Sequence, residues 1–211
     1  MKTTSSAARS AATRFDRRRE RTRGQLLAAA TRVLAEKGLH GTKIADIAAA
    51  ADVGVGTFYL HFPDKETLFD AVVDETVRAL KATVDAARAK AKGPLAQIRA
   101  ANVAFFHFAQ ENREVFKIVF GHAAAYNDLI RRAQALFIAD VERTVREGIA
   151  CGVFAPLPPA LVAQAVIGMA TQVLSWWTEH ESVPIDSLIE TTTTLALGGI
   201  APDAAKGASH G

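Results

Sequence analysis

The chain has 211 residues, of which 49% are hydrophobic and 22% charged, a composition typical of a folded globular protein. Its single cysteine, Cys151, excludes an intrachain disulfide, and we expect neither a membrane-spanning run nor a secretory signal. The net charge of +3 is uneven, because residues 1–23 carry eight basic and two acidic side chains, or +6, which leaves −3 for the rest. Basic charge at one end favours an anionic partner, either a nucleic acid or a membrane surface.

The first elements in chain order are a basic arm and three short helices. Residues 1–20 are rich in Ser, Thr, Ala and Arg without apolar periodicity, so we expect them to be disordered. Apolar residues at helical spacing predict a first helix over residues 21–37, which Gly38 ends. Thr42 is the expected cap of a second short helix, and a third helix is predicted over residues 55–62.

A larger helical bundle is predicted after these three helices. Pro63 ends the third helix, and Asp64 is the expected cap of the next one. Apolar periodicity predicts six further helices, over residues 65–90, 95–111, 113–120, 126–150, 160–179 and 184–197. The helix over 160–179 is apolar nearly all round, which predicts burial on more than one side. The chain is therefore expected to be all-α with about nine helices, and residues 201–211 are expected to be a disordered tail.

Residues 42–69, TKIADIAAAADVGVGTFYLHFPDKETLF, have the pattern of a helix-turn-helix, two short helices joined by a tight turn with glycine. In such a unit the second helix lies in the major groove of DNA, where base edges are distinguishable. Tyr59 and His61 flank the end of that helix, within reach of phosphates. Lys65 begins the next helix and is expected to offer a free ammonium group to another phosphate.

The stretch VGVGTFYLHFPDKETLF resembles the helix-turn-helix signature of the TetR family of bacterial regulators. The resemblance covers about residues 21–70, and it includes the small-residue turn, the Gly-Thr-aromatic-Tyr sequence and the lysine after the turn. It implies a DNA-binding domain over residues 21–66 and a ligand-binding and dimerisation domain over residues 67–200. The DNA-binding residues that it implies are Lys43, Gly54, Val55, Gly56, Thr57, Tyr59, His61 and Lys65.

Two positions depart from the family pattern. Gly54 stands where a serine cap is frequent, although glycine is a tolerable cap. Ala45 stands where many relatives carry a basic or polar side chain, which weakens the case for base reading from the second helix. Val55 offers the bases only apolar contact, for example with a thymine methyl group.

With neither a membrane-spanning run nor a secretory signal expected, we expect the chain to be cytoplasmic. The resemblance implies a non-enzymatic transcriptional regulator, more often a repressor than an activator, and no cofactor is expected. Its partners would be a near-palindromic double-stranded operator, a hydrophobic or aromatic effector, and a second copy bound through the last two long helices. No membrane partner is expected. Aromatic and polar residues of the larger domain are candidates to line an effector pocket, or else to fill the core: Asn102, Phe105, Phe108, Phe116, Phe120, Tyr126, Gln172 and Trp176.

Three other interpretations of the chain remain open. An enzyme would need a catalytic motif, and the only suggestive run, Glu179-His180-Glu181, places adjacent side chains in different directions. A helical protein-binding module would explain the bundle but not the spacing of the helix-turn-helix residues. A membrane-surface arm would need an apolar face that residues 1–20 lack. Whether the basic arm contacts DNA also stays open.

Overall fold

The computed structural model describes the backbone of residues 4–121, 123–180 and 182–200, and side chains at 16–34, 36–38, 41–121, 127–180 and 182–200. These residues form helices and no strand, which confirms the all-α expectation. The helices are α1 (Thr4–Gly41), α2 (Ile44–Ala50), α3 (Val55–Tyr59), α4 (Lys65–Lys90), α5 (Pro94–Glu111), α6 (Arg113–Gly121), α7 (Ala123–Ala150), α8 (Pro159–Trp177) and α9 (Ile185–Gly199).

The chain divides into two compact units, Met1–Glu75 and Thr76–Gly211. Their border falls inside α4, whereas the sequence placed it at residue 66. The tail expected to be disordered, residues 201–211, lies outside the described residues.

Helix α1 begins at Thr4, so the expectation of a disordered arm over residues 1–20 is wrong for its described part. Alanine and arginine are among the best helix formers, and neither proline nor glycine occurs between Thr4 and Arg23. At its other end α1 is interrupted at Gly38, whose φ of 66° is rare for residues with a side chain. The first helix thus stops where the sequence predicted, but starts earlier.

The start of α2 also differs from the sequence prediction. Thr42 is buried, and its hydroxyl donates to the Gly38 carbonyl oxygen at 2.7 Å, so it closes the end of α1 instead of capping α2. The cap residue is Lys43, in extended backbone. Its N–H donates to the Asp46 carboxylate at 3.1 Å, which satisfies one of the amides that a helix start leaves without a partner.

The first unit holds α2 and α3 against α1 through a small apolar core. Its largest fully buried side chains include Leu26, Ile47, Phe58 and Phe69. Helix α3 ends at Tyr59, three residues earlier than expected. Asp64 caps α4 as predicted, because its carboxylate accepts the N–H of Thr67 at 2.6 Å.

The second unit is a bundle in which α5 packs on α7 and α9, and α8 packs on α7. One core cluster joins α5, α8 and α9 around Phe106, Leu174 and Leu188. A second lies around Val145 and Phe154, and a third involves α4 and α5.

Ion pairs link α4 to α7 in this bundle. The Asp140 carboxylate on α7 pairs with Lys81 at 2.9 Å and Arg88 at 3.2 Å, both on α4, and with Arg143 at 2.8 Å. Burial alone would raise the pKa of Asp140, but the bond from Lys81 and the charges of Arg88 and Arg143 outweigh it and lower the pKa. The carboxylate of Asp140 therefore stays charged among its cationic partners on α4 and α7.

Helix α8 is apolar enough and, with 19 residues, long enough to cross a membrane, contrary to the expectation from the sequence. Length and composition are the only grounds, and a core helix of a soluble protein satisfies them too. Its contacts with α7 and α9 place one side of α8 in the bundle. The other side is exposed, and the sequence prediction of burial on more than one side is not met within a single chain.

Candidate nucleic-acid interface

Helix α3 is the second helix of the helix-turn-helix and is called the reading helix below. It exposes an apolar and glycine-rich surface to solvent. Val55 is 43% exposed and Tyr59 54%, whereas Phe58 between them is fully buried. Gly54 and Gly56 are exposed as well, and an added Cβ at either position would meet no atom within 4 Å. The fold therefore presents the side of α3 that the helix-turn-helix pattern assigns to DNA.

Leu60 belongs to the same surface, although the sequence analysis did not identify it. It is 74% exposed, the most exposed of the large hydrophobic side chains that the structure describes. Its backbone, with φ −72° and ψ −18°, continues the helical geometry of α3 by one residue. The signal in the sequence was its position two residues after the buried Phe58, about 200° further round the helix and so on the opposite, solvent side.

The remaining predicted DNA contacts flank this surface. Lys43 is exposed at the start of α2, and Thr57 and His61 are half-buried. Asp46 is held by Lys37 at 3.0 Å, and the hydrogen bonds from Lys37 and from the Lys43 amide lower the pKa of its carboxyl. The negative charge at the start of α2 is thus already paired within the protein.

Lys65 does not have the free ammonium that the sequence analysis expected. Its Nζ donates to the carbonyl oxygen of Thr42 at 3.2 Å. This bond joins the start of α4 to the segment between α1 and α2, so Lys65 has a structural role inside the first unit. Its contact with a phosphate stays a prediction.

His61 lies in a surface cleft of about 300 Å³ that is lined by charged side chains of α1, namely Asp16, Arg19, Glu20 and Arg23. Burial of the ring lowers the pKa of His61, and the positive charges of Arg19 and Arg23 lower it further, against the opposing effect of Glu20. Arg23 also lies over the ring of Phe62, 5.3 Å from its centre. The N-terminal part of α1 therefore brings two arginines beside the end of the reading helix.

Several effector candidates are core residues of the second unit. Asn102 donates to the hydroxyls of Thr192 and Thr193, both at 2.8 Å, and so ties α5 to α9. Phe108 is buried. Phe105 and Phe116 are partly buried and pack against two core clusters at once.

The other effector candidates are placed differently. Phe120 is partly buried and stacks with Phe116, with 6.3 Å between ring centres. Gln172 and Trp176 are exposed on the outer side of α8, and the Trp176 ring stacks on that of His180 with 4.1 Å between ring centres, so their contact with an effector stays a prediction. The side chain of Tyr126 lies outside the described ones, as does Glu181.

The chain matches two family models. One, described as bacterial regulatory proteins of the tetR family, matches residues 26–72, and the other, described as a tetracyclin repressor-like C-terminal domain, matches residues 91–200. The chain is 31% identical over 163 residues to the HTH-type transcriptional regulator BetI of Burkholderia thailandensis, covering 75% of this chain and 81% of BetI. It is 26% identical over 192 residues to the HTH-type transcriptional activator FasR of Mycolicibacterium smegmatis, covering 86% of this chain and 84% of FasR.

Solved structures share the fold. The fatty acid degradation regulator FadR of Bacillus halodurans superposes with a TM-score of 0.73 at 23% identity, over 84% of this chain and 95% of that one. The ketosteroid regulator KstR2 of Mycobacterium tuberculosis superposes with a TM-score of 0.65 at 23% identity, over 85% of this chain and 94% of that one.

Proposed function

The chain belongs to the TetR family and is a DNA-binding transcriptional regulator, and from this premise we propose that it is a homodimeric repressor which a small effector releases from its operator. Regulators of this family bind operators and small effectors and form dimers. The observation that carries the proposal is the exposed surface of α3 inside a matched helix-turn-helix. Its place of action would be the cytoplasm, and it would have no catalytic activity.

The DNA contacts are proposed in two groups. Val55, with Gly54 and Gly56 beside it, faces base edges, since these residues form the exposed side of the reading helix. The second group contacts phosphates and fixes the register of the head on the duplex, and it comprises Lys43, Thr57, Tyr59, His61 and Lys65.

The dimer is proposed to form through α8 and α9. Leu161 on α8 is 67% exposed and Leu195 on α9 is 60% exposed. Between Leu161 and the exposed Trp176, the solvent side of α8 carries the small residues Ala165 and Gly168, which allow a partner helix to approach closely. A two-fold dimer places two reading helices one turn of DNA apart, about 34 Å, and requires a near-palindromic site.

The effector is proposed to be an apolar molecule that enters among the aromatic side chains of α5 and α6. Phe105 and Phe116 support this, because they are partly buried between two core clusters. Release requires the effector to bind the DNA-incompetent dimer better than the DNA-bound one.

The proposal is tested by selecting duplexes from a random pool and titrating the winner at several salt concentrations. We expect a near-palindromic winner whose affinity falls steeply with salt, because phosphate neutralisation releases counterions. Recovery of no preferred sequence, from protein stripped of co-purified ligand, would refute it.

The effector is sought by adding candidate ligands to the complex with the selected duplex. Long-chain fatty acids and their coenzyme A thioesters are the first probes, since one structural neighbour, FadR of Bacillus subtilis, was solved with stearoyl-CoA. A ligand that binds the bundle tightly without changing affinity for the duplex would contradict the release mechanism.

Activation is the second candidate, and the observation that favours it is the similarity to FasR, which is named an activator. Transcription in vitro from a promoter that carries the selected site distinguishes the two. Repression lowers transcript yield when the protein is added, and activation raises it.

A further inference from the structure

We propose that this chain reads its operator through thymine methyl groups, which Val55 and Leu60 contact in the major groove. The inference rests on the proposed DNA-binding function and specifies the chemistry of its reading surface. It assigns Leu60 as a second base-contacting residue and predicts which feature of the operator carries specificity.

The exposed side of α3 lacks the charged and amide side chains that usually recognise bases. From Gly54 to Leu60 the sequence is GVGTFYL, which contains no Arg, Lys, Asn, Gln, Asp or Glu. Those are the side chains that form the specific hydrogen bonds with guanine, adenine and cytosine edges in the major groove. The hydroxyls of Thr57 and Tyr59 are the only side-chain hydrogen-bonding groups in this stretch, and Thr57 is half-buried.

The same surface carries two large apolar side chains instead. Val55 and Leu60 are exposed to 43% and 74%, so the side chains that the structure describes leave both apolar groups facing water. The C5-methyl of thymine is the apolar group that a base presents in the major groove. Contact with it removes apolar surface of both partners from water, which is favourable without directional bonds.

The glycines provide a third and independent observation. Neither Gly54 nor Gly56 has a positive φ, and a Cβ at either position would meet no protein atom within 4 Å. Gly54 is the N-cap of α3, a place that glycine tolerates, but at Gly56 neither backbone conformation nor internal packing accounts for glycine. A surface that must approach another molecule closely accounts for Gly56, and such an approach brings Val55 and Leu60 to the depth of the base edges.

The test removes single methyl groups from the DNA. Each thymine of the selected duplex is replaced in turn by deoxyuridine, which lacks only the C5-methyl, and the dissociation constant of the full-length protein is measured. At one or two positions in each half-site we expect binding to weaken about fourfold, the effect of about 0.8 kcal/mol for one buried methyl-sized group. Symmetric replacement in both half-sites is expected to weaken binding about fifteenfold.

The protein variants assign each methyl to its side chain. In Leu60→Ala the thymine that Leu60 contacts is expected to become insensitive to deoxyuridine, while the thymine that Val55 contacts keeps its effect, and Val55→Ala gives the reverse. Leu95→Ala is the matched control, since Leu95 is also an exposed leucine but is the second residue of α5, in the other unit. It should leave every deoxyuridine effect unchanged.

The outcomes separate this inference from the function on which it rests. A duplex that is bound specifically, yet tolerates deoxyuridine at every position, overturns methyl reading and leaves the regulator intact. The same holds if the deoxyuridine effects persist in both alanine variants. Failure to select any sequence would instead refute the DNA-binding proposal itself.

Discussion

Replacement of Gly56 by alanine separates the stability of the reading helix from its capacity to bind DNA. Gly56 has helical backbone in α3, and the added Cβ would meet no atom within 4 Å. Alanine is more favourable than glycine within a helix by about 0.5–1 kcal/mol. The free energy of unfolding of Gly56→Ala is therefore expected to equal that of the parent or exceed it by up to about 1 kcal/mol.

The same variant is expected to bind the selected duplex more weakly. A methyl group forced into a close-packed contact costs about 1–3 kcal/mol, which corresponds to about 5- to 150-fold in the dissociation constant. Denaturant unfolding measures stability, and fluorescence anisotropy of a labelled duplex measures affinity. Unchanged affinity in Gly56→Ala would refute the close approach of α3 to DNA.

Gly148→Ala is the matched contrast, because it is also a helical glycine but one with no room. A Cβ there would lie 2.0 Å from Cδ2 of Phe154, whose ring is buried in the core between α7 and α8. Displacement of that ring costs about 1–3 kcal/mol or more and exceeds the gain in helix propensity. We expect Gly148→Ala to lower the free energy of unfolding, and an unchanged or higher value would show that the turn after α7 adapts freely.

Three further predictions test other parts of the account. Asp140→Asn removes the negative charge that pairs with Lys81 and Arg88, and should lower the free energy of unfolding by about 1–3 kcal/mol. This loss is smaller than that expected for a fully buried ion pair, because the three side chains are partly exposed to solvent. Unchanged thermal unfolding would contradict the prediction. The pKa of His61 is lowered, so its ring is neutral near pH 7. The affinity for DNA should rise as the pH falls, because the ring then gains a positive charge beside the phosphates. An equal rise in His61→Gln would exclude His61 as the cause. Leu195→Glu should yield monomers in sedimentation, because it places a charge on the exposed side of α9, and a dimer of parental stability would exclude that side as the interface.

The sequence was sufficient to predict that each element is an α-helix, because apolar side chains recur at helical spacing in every element. It failed at boundaries where a side chain has two possible partners. Thr42 has the chemistry of a helix cap, but its hydroxyl turns back to the Gly38 carbonyl oxygen. The start of α1 was missed because the expectation of disorder weighed the missing apolar face and not the helix propensity of alanine and arginine.

The candidate site was predictable in its motif and less so in its details. Spacing alone identified the reading helix, yet Leu60 was overlooked because an isolated leucine in a sequence suggests core. Lys65 was expected to have a free ammonium group, and only the structure shows its bond to the Thr42 carbonyl oxygen. In the second unit, helical periodicity does not say which side of an apolar helix faces inward, so Trp176 was assigned to a pocket although it faces solvent.

The most direct test of the central claim, a dimeric reader of DNA, compares the selected palindrome with the same duplex after one half-site has been scrambled. Equilibrium binding and sedimentation together give affinity and stoichiometry. The account predicts two protomers on the intact duplex and a large loss of affinity when one half-site is removed, because two linked heads then contact only one site. Equal affinity for both duplexes, with one protomer bound to each, would contradict it.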